Sequence, residues 1–309
     1  MQGTVAVTDF GWYEFLAAHS VPEVNFWTPS DRIRFTAPEF SPFFLKLKAP
    51  HRAIAGFGYF ARWSSLPAWL AWECFGAGNG CESMRALESR IAAIRERIGY
   101  KAPVGPSNIG CILIVQPVFF SPDAWIAQPA DWHDRTVRSA SYDLTRGEGA
   151  RVWQECLARV AHASPPARQV VAEVPGERYG APTLVTPRLG QGTFRVSVTE
   201  AYARSCAVTT EHSLPALEAA HIRAYADDGP HEVRNGVLLR ADLHRLYDKG
   251  YLTITPDHRL EVSARLREDY SNGRTYYPLH GQAVRLPAAV GDHPSREHLT
   301  WHNEHVYLG

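Results

Sequence analysis

The chain has 309 residues, 45% hydrophobic and 21% charged, the make-up of an ordinary globular protein long enough for two domains rather than one. Its 32 Lys and Arg balance 32 Asp and Glu, so net charge gives no global sign of a nucleic-acid partner. The opening Met1-Gln2-Gly3-Thr4-Val5 lacks the apolar core of a signal peptide, and no stretch approaches about 18 apolar residues; a cytoplasmic protein with no membrane partner is expected.

In chain order, residues 43–48 alternate and read as a strand. Residues 54–60 read as the next, with glycines marking a bulge or a close backbone approach. A short helix is expected at 67–76, a longer charged helix at 82–98, and a buried strand at 109–115. Short strands with inserted helices suggest a small curved sheet or barrel. Residues 150–163 form an amphipathic pattern, with Val152, Trp153, Cys156, Leu157 and Val160 on one side. Residues 176–187 are rich in Gly and Pro and read as loop, so domains are expected at 1–175 and 176–309. The five cysteines form no CxxC pair, which argues against a four-thiolate zinc site and for reduced thiols.

Chemistry concentrates in the second half. Leu217-Glu218-Ala219-Ala220-His221-Ile222 puts a histidine on a short apolar run, Asn235-Gly236 follows as a turn signal, and His244 and Asp248 stand four apart. Imidazole titrates near working pH, so His221 can activate water. A His and an Asp at i, i+4 project from one helix face and can share a divalent ion. Leu239, Leu243, Leu246 and Tyr247 would give that helix its apolar side, and Gly250 stands where a C-terminal cap belongs. Beyond it, residues 251–254 and 260–262 read as short strands. Taken singly, each histidine is ordinary; the order and spacing together favour a nuclease unit.

This arrangement strongly resembles the HNH endonuclease motif. The flanks at 188–195 and 202–209, with Tyr276-Tyr277-Pro278-Leu279 and Leu299-Thr300-Trp301-His302, resemble those of predicted restriction endonucleases, so the likeness covers roughly the last 130 residues. It implies a compact ββα unit gripping a divalent metal, Mg2+ or Mn2+, with Ni2+ or Zn2+ also admitted by a His/Asp site. His221 would be the general base, Asn235 the brace of its loop, His244 a catalytic residue and metal ligand, and Asp248 a further ligand. Many members carry Asp or His just before the base, where this chain has Ala220. Either Glu218 supplies that carboxylate or water takes the place, and His221 as a ligand stays open. Arg188, Arg195, Arg223, Arg240 and Arg245 are candidates for DNA phosphate contacts.

The first half more weakly resembles the PUA-like superfamily, including SRA and EVE domains, through a lysine-bearing strand, the Gly56-Phe57-Gly58-Tyr59-Phe60 strand and a Trp-rich turn. That likeness implies a reader of modified bases that flips a base into an aromatic pocket. Trp27, Tyr59, Trp63, Trp69 and Trp72 are the candidate walls, with Asn79 or Asn25 reading the base edge. The fold class is therefore α+β. The function implied is a modification-dependent restriction endonuclease acting on modified cytosine in double-stranded DNA as a homodimer. Recognition of plain sequence, phosphorothioate DNA or RNA, or a non-catalytic DNA-binding module, are the alternatives. No phosphate-cradling glycine loop or nucleophile elbow supports a small-molecule enzyme.

Overall fold

Two separate runs of alternating and apolar sequence build two separately packed units. The computed structural model describes residues 1–101, 107–133, 135–136, 138–163 and 189–309. It divides into two compact units, Met1–Arg188 and Leu189–Gly309. The expected boundary near 175, the loop at 176–187 and Arg188 lie outside the described residues. The class is α+β, with helices packed on sheets in both units.

The first unit runs β1 (Gln2–Thr8), α1 (Phe10–Ala17), β2 (Glu23–Thr28), β3 (Pro42–Leu47), β4 (Ala53–Leu66), α2 (Ala68–Phe75), α3 (Met84–Arg97), β5 (Ile109–Phe119), β6 (Ile126–Ala127), β7 (Ser139–Asp143) and α4 (Gly147–Ala163). Asp9 starts α1, its carboxylate accepting from the Gly11 and Trp12 amides, and Ser83 caps α3 through the Ala86 amide. Among the described residues the strands form one mixed sheet in the order β2-β5-β4-β3-β1-β7, with β6 beside β4 and β1 parallel to β3.

Period-two alternation gives each face its own core. One face sends Val5, Phe44 and Phe57 against Val152, Trp153 and Cys156 of α4. The other sends Ala6, Phe43, Leu45, Phe60 and Ile114 against Trp12 and Leu16 of α1. Each fully buried Phe contributes about 1.5–3 kcal/mol over leaving it in water. β4 continues six residues past the expected end at Phe60 because bulges after Phe57 and after Phe60 break the alternation without breaking the pairing. At the first of these sits Gly58, where a Cβ would lie 2.5 Å from Ile114 Cγ2.

The second unit runs α5 (Gln191–Ala201), β8 (Leu217–His221), β9 (Gly236–Arg240), α6 (Ala241–Asp248), β10 (Leu252–Ile254), β11 (Leu260–Val262), α7 (Arg265–Tyr270) and α8 (Arg296–His305). β8 and β9 pair antiparallel from Leu217↔Arg240 to His221↔Gly236. Leu239 lies on β9 and not on the helix, because 236–239 is an unbroken apolar run that periodicity cannot divide between strand and helix. The core joins Phe194 and Val198 of α5, Leu217 and Ala220 of β8, Val237 to Leu239 of β9, and Leu243 and Tyr247 of α6. Cys206, fully buried, ties the start of this core to β9: its sulfur accepts from the amides of Val208, Thr209 and Arg240 at 3.4, 3.5 and 3.4 Å. Among the described residues no helix is long and apolar enough to cross a membrane.

Candidate active site

β8 ends on His221 and α6 carries His244 and Asp248 one turn apart. All three line one cavity of about 380 Å³, with Phe194 and Arg195 of α5, Tyr225, and Trp301 and His302 of α8. Pairing of β8 with β9, which runs directly into α6, is what brings strand and helix side chains to the same place.

Asn235 has no exposed surface, and its amide bridges the two ends of the segment after β8. Its Oδ1 accepts from the Arg223 amide at 2.9 Å, and its Nδ2 donates to the Arg223 and Pro230 carbonyls, both at 2.9 Å. Gly236, expected in a turn, instead begins β9 in extended backbone with φ −130°. A Cβ there would lie 2.4 Å from Val198 Cγ2 and 2.9 Å from the Phe194 ring, so glycine lets α5 approach the ribbon.

The Phe194 ring lies parallel to His221 at 3.9 Å between centroids. His221 Nε2 faces His231 Nδ1 at 3.0 Å, and the Tyr225 ring stacks on His231 at 4.6 Å. Burial, then the nearby His231 and His244, pull the His221 pKa down to about 4, with Asp248 opposing. His221 is therefore neutral at pH 7 and has a lone pair to accept a proton.

His244 Nδ1 donates to Glu218 Oε2 at 2.6 Å, and its Nε2 stands 3.3 Å from Asp248 Oδ2. Burial works against charging His244, but its hydrogen bonds to Asp248 and Glu218 outweigh that and raise its pKa. Two ligands about 2.1 Å from one ion and at right angles about it stand about 3 Å apart; the His244 and Asp248 atoms fit that separation. Glu218 is on the opposite ring nitrogen from Asp248, the place of a carboxylate that orients a ligating histidine rather than one that ligates. Ala220 is fully buried in the core. Among the described residues no cluster of three His, Cys, Asp or Glu is close enough to hold an ion, so remaining positions would fall to water and substrate oxygens.

Of the candidate arginines, Arg195 lines the cavity, and the Arg223 guanidinium lies over Trp301 at 5.4 Å. Arg240 is paired with Asp242 through two bonds of 2.6 and 2.8 Å, and Arg245 is exposed on α6.

Of the residues expected to wall a base pocket, Tyr59 and Trp63 are not brought together. Tyr59 and Trp63, four apart, would share a face of a regular strand. The bulge after Phe60 puts Tyr59 with the Phe44 core and Trp63 with the Phe43 core on the other face. Trp69 and Trp72 are half-buried on α2. Trp27 Nε1 donates to the Asn79 carbonyl at 3.0 Å. Asn79 is fully buried; its amide donates to Ala71 and Gly76 and accepts from Asn25, which leaves no edge to read a base. Asn25 is equally buried.

Sequence reasoning missed His231, Tyr225, Phe194 and Trp301. His231 stands in Asp227-Asp228-Gly229-Pro230-His231, a turn-rich stretch whose spacing singles out no residue. The one signal present was a second histidine between the first histidine and the asparagine of the motif.

Residues 206–255 match the HNH endonuclease family. Among curated proteins none matches the chain. Among solved structures, an ASCH protein from Zymomonas mobilis is 12% identical, with 50% of this chain and 94% of that chain covered and a TM-score of 0.32. A Tyr-to-Phe mutant of that protein is 11% identical, covering 49% and 96%, with a TM-score of 0.31. A structure described as the modification dependent TagI restriction endonuclease is 12% identical, covering 98% of this chain and 81% of that chain, with a TM-score of 0.27.

Proposed function

We propose that this chain, which carries an HNH endonuclease unit at residues 206–255, is a modification-dependent restriction endonuclease that hydrolyses phosphodiester bonds in double-stranded DNA. The observation that carries the nuclease part is the convergence of His221 with the His244–Asp248 pair on one cavity. His221, neutral at pH 7, takes the proton of the attacking water. His244 and Asp248 are the side chains that would hold a divalent cation, Mg2+ or Mn2+. When bound, such a cation neutralises charge on the scissile phosphate and the leaving oxygen. Glu218 fixes the His244 ring, Asn235 fixes the loop behind His221, and Arg195 is placed to meet a phosphate at the cavity wall.

Residues 1–175 would read a modified cytosine and 176–309 would cut. The reader part rests on the PUA-like pattern of the lysine-bearing and glycine-rich strands. A homodimer is the simplest way to cut two strands with one site each. The dispersal of Tyr59, Trp63 and Asn79 to different environments favours a second reading, in which the first unit recognises plain sequence, phosphorothioate DNA or RNA.

The test is cleavage of matched DNAs carrying cytosine, 5-methylcytosine, 5-hydroxymethylcytosine or glucosylated cytosine, with magnesium and with manganese, beside His221→Ala. Cutting of one modified DNA, lost in the variant, supports both units' roles. Cutting of all four keeps the nuclease and removes the modified-base reader. Equal activity of wild type and variant removes His221 as base.

A further inference from the structure

We propose that His231 is a positioning residue for the base: its Nδ1 accepts a hydrogen bond from His221 Nε2–H, which leaves His221 Nδ1 unprotonated and able to take the proton of water. This rests on the nuclease reading above. The two ring nitrogens are 3.0 Å apart, so one proton lies between them. If His231 donated it, the proton of neutral His221 would sit on Nδ1 and the ring would have no free lone pair for water. Only the opposite assignment gives a base.

The surroundings hold both rings in that register. Phe194 stacks on His221 with 15° between planes, and Tyr225 stacks on His231 with 7°. Pro230, the residue before His231, is tied through its carbonyl to Asn235, so the buried asparagine sets the position of His231 as well as that of Arg223. Burial lowers the pKa of both histidines, which supports a neutral pair sharing one proton. When His221 Nδ1 takes the proton of water, the ring becomes imidazolium and its Nε2–H stays on His231. That bond is then charge-assisted and roughly doubles in strength. His231 thus stabilises the charged base more than the neutral one, which is where a catalytic gain arises.

The test uses the full chain with ring-15N histidine at pH 7.5, with the His221 signals assigned by their loss in His221→Ala. The wild type is expected to show His221 protonated on Nε2, with that proton protected from exchange with water. His231→Ala should lose the protection, and His231→Gln, whose side-chain oxygen can accept, should restore it. On whichever DNA of the panel wild type cuts, His231→Ala should lower kcat about tenfold or more, short of the 10²–10⁴ carried by a general base. KM and manganese affinity should stay unchanged, and Gln should regain most of the rate. A proton on His221 Nδ1 in wild type, or an unchanged protected Nε2 proton in His231→Ala, overturns the proposal. If His221→Ala cuts like wild type, His221 is not the base, and the assignment on which this proposal rests falls. If it is inactive while His231→Ala cuts like wild type, only the role of His231 falls.

Discussion

Asn235 shows how much one side chain can hold. It is a fully buried amide with three hydrogen bonds to main chain on both arms of one loop. Its replacement by Ala strands the Arg223 amide and two carbonyls, at about 1–3 kcal/mol for an unsatisfied buried group. Asn235→Ala is therefore expected to lower the urea midpoint and to reduce cleavage together, since the loop carries His231. Asn235→Asp, keeping the acceptor and losing both donors, should fall between. The metal side makes a separate demand. His244→Ala should abolish manganese binding measured by calorimetry, and Glu218→Gln should weaken it about 10- to 100-fold, as for other partners of a ligating histidine. If Glu218→Gln instead removed binding as completely as His244→Ala, Glu218 would be a ligand and not an orienter. At this scale the meeting of His221, His244 and Asp248 on one cavity was legible, because their order and spacing stand in the sequence. His231 was not legible, because its place beside His221 depends on where a loop folds back.

Among elements, α5 contributes most that sequence pattern did not reveal. Its Phe194 packs on His221, and its Val198 and Phe194 press on Gly236. A methyl at Gly236 must displace one of them, which costs about 1–3 kcal/mol as overpacking. Gly236→Ala is expected to lower the melting temperature and also to lower kcat, because the movable neighbour is the ring stacked on His221. A loss of stability with unchanged kcat would mean that Val198 alone gives way. The elements legible in sequence include α2, α3, α4, β3, β5, β10 and β11, where the pattern has clear ends or a clear apolar run. In sequence β9 merges into α6, because four consecutive apolar residues carry no period. β4 reads short there because its bulges shift the alternation.

For the whole molecule, the titration of buried histidines ties stability to acidity. His221 and His302 have pKa values pulled down to about 4, chiefly by burial, from an ordinary 6.5. Between those values the unfolded chain binds more protons, so both contributions are full above pH 6.5 and are lost as pH falls toward 4. His244, with its pKa raised, acts in the opposite sense: its contribution is full below 6.5 and is lost as pH rises through its folded value. Burial lowers the pKa of His231 and His298 as well, so with four against one the metal-free unit Leu189–Gly309 should have a lower urea midpoint at pH 5 than at pH 7.5. An equal midpoint would mean that these rings are charged without opening the core. The α+β class followed from sequence pattern, whereas the placing of the aromatic residues did not, since it depends on which face each bulge selects.

The sulfur of Cys206, receiving three amides where the nuclease core begins, makes that thiol a natural clock for opening. A reagent such as a nitrobenzoate disulfide can reach it only when the pairing around β9 has come apart, so its reaction rate reports how often the β8–β9 ribbon breathes. Half-exposed Cys74 in the other unit reacts without such an event and supplies the reference in the same tube. Adding metal should slow the first rate and leave the second alone, which turns an unused side chain into a reading of occupancy that needs no cut strand.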